Sequence, residues 1–439
     1  MKKCFLLCCV ICLSAASVCA SGFGVFTQGA TGLGQGNAVV AHPTGPSSLY
    51  FNPALLNDVP GRQVEVGTTG INADRSIKLV SGGQENTADT WNFPSTFYYT
   101  EQFNEKISAG FGLFFPFGLS TEWEDDYEGR YLGTYGDITT LNINPVLSYR
   151  VTDRLSLAGG FSFVYLDATL KKKINQTAAY ALTDLQLSGG SGGVLPPLGG
   201  PLEDINQNFE GDGWGAGYNF GVLFKATDRI SLGATYRSHV DIPVQGKAKF
   251  LNVDPLLGPA FPETKGEADI RLPAQVTAGI AVTVTDNLVV EAGARWEDWE
   301  STTELKVELE RPVLGQTADI TPRDWKSTWA YNIGGQLQIN KMWALNAGYL
   351  FGENAVPSST FEPLVPDSDA HLFTLGVDWH SGAWTVSGAF GYELHDKRDK
   401  VNTLGDPLGS MLTGGPVDTA NGTYESDIYL VGLSLGYRF

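Results

Sequence analysis

From Tyr429 to the terminal Phe439 every second residue is bulky and apolar: Tyr429, Val431, Leu433, Leu435, Tyr437 and Phe439. Leu430, Gly432, Ser434, Gly436 and Arg438 lie between them. A period of two fits an extended strand, whose neighbouring side chains leave by opposite faces, and it fits no helix. The pattern recurs in Leu288, Val290, Ala292, Ala294 and Trp296 against Val289, Glu291, Gly293 and Arg295, and again from Trp343 and from Trp384. The apolar faces carry aromatic residues near their ends and the opposite faces are rich in Gly, Ser and Thr. That division suits lipid on one side of a sheet and a lumen on the other.

The N-terminus fixes the compartment. Lys2-Lys3, an apolar stretch from Phe5 to Val18, and Val18-Cys19-Ala20 ahead of Ser21 read as an export signal over residues 1–20. All five cysteines (Cys4, Cys8, Cys9, Cys12 and Cys19) fall inside it, so a mature chain of 419 residues (439 minus 20) has no disulfide or thiol chemistry. Loss of Lys2 and Lys3 takes the formal net charge from -19 to -21, the wrong sign for a nucleic-acid partner. No apolar run after residue 20 approaches the ~18 residues of a membrane helix. A soluble periplasmic β protein and an outer-membrane β-barrel remain. The alternation and a last strand that closes on an aromatic residue, a signature for barrel-assembly machinery, select the barrel.

Catalytic and metal readings fail on the same residues. His42, His239, His371, His380 and His395 are scattered without metal-ligand spacing. Ser238 and His239 are sequence neighbours and so point to opposite faces, a poor nucleophile and base pair. Gly32-Leu33-Gly34-Gln35-Gly36 imitates a phosphate-cradling loop but lacks the strand before and the helix after. No enzyme activity, metal or cofactor is expected.

Tight polar turns at Phe103-Asn104-Glu105-Lys106, Thr152-Asp153-Arg154, Thr227-Asp228-Arg229, Thr285-Asp286-Asn287, Asn340-Lys341 and Ser381-Gly382 each separate two alternating segments. Six turns and both termini on one side give seven hairpins, an all-β, 14-stranded antiparallel transmembrane barrel over residues 60–439. Its opposite end carries long connections near 81–91, 118–137, 171–212, 250–265, 307–323, 352–368 and 397–424. A ring of this size leaves a lumen that its own side chains do not fill. Residues 21–59, which do not alternate, are the only segment on the periplasmic side long enough to obstruct it, and they are expected to form a hatch.

The third strand is apolar on both faces, Ala109-Gly110-Phe111-Gly112-Leu113-Phe114-Phe115-Pro116-Phe117-Gly118. Its inward face is either Phe114 and Pro116 or Phe111, Phe115 and Phe117, an oily lining in both cases. Pro116 lacks a ladder donor and Gly118 weakens pairing, so the sheet is easy to open there. In the long connection, Lys171-Lys172-Lys173 precedes a helix-forming stretch and then a Gly-, Leu- and Val-rich run, a plausible apolar landing surface. The lysines solvate the strand end or attract a carboxylate or lipopolysaccharide phosphate.

Gly22-Phe23, Gly32-Leu33-Gly34, Asn52-Pro53-Ala54, Pro116-Phe117-Gly118-Leu119-Ser120-Thr121-Glu122-Trp123, Gly129-Arg130-Tyr131, Asn144-Pro145, Tyr236-Arg237-Ser238 and Pro366-Asp367 together resemble the FadL family of outer-membrane transporters for long-chain fatty acids and other hydrophobic compounds. The resemblance implies a hatch carrying Asn52, Pro53 and Ala54, capture of ligand by the outer loops, a pocket above the hatch met by Phe23, and sideways exit at a third strand kinked around Pro116 and Gly118. Phe111, Phe115, Phe117, Arg130 and Arg295 are the further candidates for contact with ligand, Arg295 with Glu291 and Glu297 on the same face to neutralise it. The family commonly continues Pro-Asp with Asp-Arg, where this chain has Ser368-Asp369-Ala370-His371. Without that arginine a less polar ligand than a fatty acid, an aromatic hydrocarbon or alkane, gains weight. A monomer in contact with outer-membrane lipid and lipopolysaccharide is expected, and an aqueous diffusion porin is the alternative, ahead of a barrel enzyme or adhesin.

Overall fold

The computed structural model describes residues 22–439, so the export-signal reading of 1–20 lies outside the described residues. Fourteen antiparallel strands close into a ring. They are β1 (Arg62–Leu79), β2 (Ser95–Gln102, preceded by short pieces at Gln84–Asn86 and Trp91–Asn92), β3 (Ile107–Phe114 and Gly118–Glu122), β4 (Tyr135–Thr152), β5 (Leu155–Ile174), β6 (Ile205–Lys225) and β7 (Ile230–Arg237 and Val240–Leu251). The second half holds β8 (Thr264–Leu272 and Gln275–Thr285), β9 (Leu288–Glu297 and Glu304–Val313), β10 (Gln316–Pro322 and Thr328–Gln338), β11 (Trp343–Gly352), β12 (Ala370–Ser381), β13 (Trp384–His395) and β14 (Gly422–Arg438). Closure is long: β1 pairs with β14 from Gln63↔Arg438 to Leu79↔Gly422. Each of the six expected tight turns joins two of these strands. One expected loop is different, because most of 307–323 is a paired hairpin extending β9 and β10.

The side-chain alternation settles which face meets lipid. Phe161, Phe220, Ile333, Leu375 and Leu433 stand exposed on the outer face, while Glu65, Glu291, Asp378 and Glu393 on the inner face are buried. An apolar surface this large requires a membrane around it. Aromatic residues flank the band, Trp384 against Tyr437 at 4.6 Å on the turn side and Trp329 stacked on Tyr331 at the other. Beyond it the outward residues of β8 become charged, Lys265, Glu267, Asp269 and Arg271.

Residues 22–59 lie inside the ring as α1 (Ala30–Gly34), α2 (Ser48–Phe51) and a 3-10 turn over Pro53–Asp58. Glycine makes the fit possible. Gly36 takes φ 59°, and a Cβ there would stand 2.8 Å from the Tyr349 backbone; a Cβ on Gly348 would stand 2.2 Å from Gln35. The inward glycines of the strands are therefore seats for a second layer of backbone.

Candidate functional site

The inner segment is held by carboxylates that the wall points inward. Glu291 accepts hydrogen bonds from the Val40 and Ala41 amides, the latter at 3.0 Å, and meets His42 Nδ1 at 2.7 Å. Asp378 accepts from the Thr31 hydroxyl at 2.8 Å, and Glu65 from the Ser47 amide at 3.1 Å. Charged acceptors on backbone donors are about twice as strong as neutral ones. Asn52 caps the 3-10 turn, its Oδ1 accepting from the Ala54 amide at 3.1 Å, while its Nδ2 donates to Val40 O and to Val222 O of β6. Pro53 follows at the first helical position, where its missing N–H costs nothing. Asn52-Pro53-Ala54 thus ties this layer to the wall.

The third strand is broken where the sequence places its proline. Phe114 pairs with Asn142 of β4 and Gly118 with Thr139, so three residues of β3 face two of β4. The extra residue bends the chain inward, as a bulge does. Its polar groups find partners in the N-terminal segment: Val25 N–H donates to Pro116 O at 2.8 Å, Gly118 N–H to Phe23 O at 2.9 Å, and Gln28 Nε2 to Phe115 O at 2.7 Å. The Thr140 hydroxyl serves both polar groups of Phe117. Across the break, β2 pairs with β3 only from Phe97↔Leu113 downward, and contact resumes at the Thr87–Trp123 bridge. Arg75 of β1 spans this gap to the Ser120 carbonyl and the Thr121 hydroxyl.

Phe23 is the meeting point. Its ring lies 4.8 Å from Trp299, 5.9 Å from Trp325 and 6.0 Å from Phe117, each edge-on. Breaks in two further strands bring in the tryptophans: β9 leaves its ladder at 298–303 and β10 at 323–327. Ahead of Phe23, the Asp367 carboxylate accepts from the amides of Gly22 at 3.1 Å and Ala355 at 2.7 Å. Burial pushes that carboxyl up to about 6, against the pull of those bonds and of His395 and Arg398.

Above this floor lies an apolar inner cavity of about 270 Å³, lined by Phe23, Leu119, Phe209, Val244, Trp325 and Leu364 among others. It runs into an outer cavity of about 500 Å³ through shared residues Leu170, Phe209, Val307 and Leu364. The outer cavity is roofed by α3 (Gln176–Leu187) and α4 (Pro407–Thr413), through Leu182, Leu408 and Met411. Its cations have partners: Lys172 meets Asp319 at 2.7 Å, Lys173 meets Asp125 at 2.8 Å, Arg323 is paired with Glu362, and Lys171 sits 4.7 Å over the Tyr135 ring.

The expected site residues divide. Phe23 lines the inner cavity, Phe117 backs it, and Pro116 and Gly118 hold its N-terminal contacts. Phe115 is buried at the break and lines neither cavity. Phe111 is a correction: it is 36 % exposed on the outer face, because Gly110 and Phe114, not Phe111, point inward onto Leu49 and Tyr50. Arg130 is also placed apart, its Nε bound to Asp204 at 2.7 Å outside both cavities. Arg295 is buried below, paired with Glu297 and lying 4.3 Å over Phe26, beside a cavity of about 50 Å³ within the inner layer. Sequence reading missed Trp299 and Trp325. The signal was present in the loss of alternation at Asp298-Trp299-Glu300 and Arg323-Asp324-Trp325.

A lipid-facing ring with a filled floor and an oily two-chamber cavity above it defines a conduit protein of the outer membrane, one that handles small molecules in an apolar setting. The chain belongs to the outer membrane protein transport protein family (OMPP1/FadL/TodX), whose model matches residues 11–439. It is 25 % identical to outer membrane protein P1 of Haemophilus influenzae over 97 % of each chain. It is 23 % identical to the long-chain fatty acid transport protein of Escherichia coli strain K12 over 98 % of this chain and 97 % of that one. The fold matches a Pseudomonas aeruginosa FadL homologue with a TM-score of 0.82 at 20 % identity, covering 95 % of this chain and all of the other. It also matches the Pseudomonas putida toluene transporter TodX, with a TM-score of 0.69 at 19 % identity over 94 % and 98 %. The protein is an outer-membrane transport protein and not an enzyme.

Proposed function

We propose that the protein carries hydrophobic small molecules inward across the outer membrane by passive partition. Ligand enters the outer cavity beneath α3 and α4, moves to the inner cavity, and rests on Phe23. Displacement of Phe23 pulls on Gly118 and Val25, which hold the β3 break, so ligand binding loosens the gap between β2 and β3 and the molecule leaves sideways. Residues 21–59 act as the hatch. The observation that carries this reading is the continuous apolar path that ends on Phe23, a residue bonded through its own backbone to the break. Burial of apolar surface supplies the driving force, about 25 cal/mol per Å². Relatives named for fatty acids and for toluene bracket the substrate class. Lipopolysaccharide is the natural neighbour of the charged outer rim, and the barrel-assembly machinery reads the strand that ends at Phe439.

Uptake of oleate and toluene, compared in a deletion strain with and without this chain, tests the function. Faster entry of at least one compound with the chain is expected; equal entry of both in the two strains overturns it.

A further inference from the structure

The wall has a second discontinuity, between β8 and β9. Their ladder runs from Thr285↔Leu288 to Gln275↔Glu297 and resumes only at Glu267↔Glu308 and Gly266↔Leu309. Between those points residues 268–274 of β8 face residues 298–307 of β9, with one backbone bond across them, Asp298 N–H to Ala274 O at 2.9 Å. Seven residues of strand span roughly 20 Å. On its other side β8 is fully paired to β7, from Val240↔Leu272 to Ala248↔Thr264, so the opening is confined to one seam. The hairpin formed by Glu304–Val313 and Gln316–Pro322 is joined to β8 through those two residue pairs, the Arg311 N–H donating to the Thr264 hydroxyl at 2.8 Å and Lys265 lying 3.8 Å from Glu310, all beyond the seam, and its β10 half has no other strand partner among the described residues.

The inner cavity reaches this seam. It is lined by Ala268 and Ile270, which face the lumen, and by Asp269 and Arg271, which face outward, together with Thr303 and Glu304 across the gap. Alternate residues of one strand lie on opposite faces of the sheet. A cavity touched by both sets reaches the unpaired edge of the wall. The seam lies above the exposed apolar band, which starts on β8 at Val276, and level with the charged outward residues Asp269 and Arg271. It therefore opens onto the polar zone of the outer leaflet and not onto the acyl chains. Its rim holds three carboxylates, Asp241, Asp269 and Glu304, against Arg271, which is bound to Asp241 at 2.6 Å. Inside, Arg323 is taken by Glu362.

We infer that the β8–β9 seam is a second, lateral mouth of the inner cavity, through which uncharged hydrophobic molecules reach Phe23 from the outer leaflet surface without crossing the outer cavity. The inference rests on the transport reading above. The surplus of carboxylates repels a fatty-acid anion at the rim, so an anionic ligand is left with the route beneath α3 and α4.

Residues 21–439 hold no cysteine, so single thiols can be placed cleanly. Thr303→Cys at the seam and Met411→Cys at the outer cavity would be alkylated from outside with a small or a bulky maleimide, and uptake of toluene and laurate measured in the deletion strain. Bulky label at Thr303→Cys should slow toluene about tenfold, or about 1.4 kcal/mol of barrier, the small label less, and laurate little. Label at Met411→Cys should slow laurate more. Unchanged toluene uptake with fully labelled Thr303→Cys overturns the mouth, as does failure of that exposed position to label. Equal slowing of both compounds overturns the selectivity. No uptake even by the unlabelled wild-type chain would instead overturn the transport reading itself.

Discussion

Phe23 joins cavity floor to strand break through two kinds of contact, its ring against Trp299, Trp325 and Phe117 and its carbonyl against Gly118 N–H. Edge-on aromatic pairs add about 0.5–1.5 kcal/mol each beyond burial. Phe23→Ala should cut retention of an apolar fluorescent probe about tenfold, near the value of two such pairs, while the heat-dependent gel shift of the folded barrel stays unchanged. A retained probe would remove Phe23 from the site. Asp367 gives a pH signature. Its folded value of about 6 exceeds the ordinary carboxylate value of about 3.9, so between those limits the native chain binds a proton that the unfolded chain lacks. Acidification through that window therefore favours the native state while weakening the charged acceptor for the Gly22 amide. Probe release should quicken as pH falls below about 6 in the wild type, and Asp367→Asn should release quickly at every pH. Phe23 was legible through its family motif. The outward turn of Phe111 was not, because both faces of β3 are apolar and only the position of the extra residue fixes which one points in. Arg130 bonds Asp204, 74 positions away, and no local pattern announces such a partner.

At the level of elements, β3 shows what Pro116 does and what it does not. The break comes from three residues facing two, so substitution of Pro116 leaves the surplus residue in place. Deleting Pro116 restores equal numbers and should let β3 run unbroken, reducing uptake of an apolar substrate while the barrel still assembles. Undiminished uptake would move the exit elsewhere. The proline made this element readable in advance. The breaks in β9 and β10 carry no proline at 298–303 or 323–327; ten residues of β9 (298–307) face seven of β8 (268–274), a register surplus that the lost alternation marks within one strand but that only the partner strand reveals. For the same reason 307–323, read as a loop, is largely a hairpin: its charged alternation has no lipid face.

Across the whole molecule, the six turns and the even strand number followed from turn chemistry and period-two patterning, because both are local. How the lumen is filled is not local. Glu291 of β9 holds Val40, Ala41 and His42, some 250 residues earlier in the chain, and Gly334 of β10 and Gly348 of β11 make room for Gln35. Glu291→Gln keeps the shape but removes the charge, and should raise leakage of small polar solutes from liposomes; a tight variant would mean that packing alone holds the segment. Held in this way, the inner segment should leave the barrel closed to water and open to oil. Single-channel recording of the intact chain in a planar bilayer, beside a variant lacking residues 21–59, tests it most directly. The intact chain should show no stable open pore and the shortened one large openings; a stable, large conductance from the intact chain would mean that the lumen is an aqueous channel.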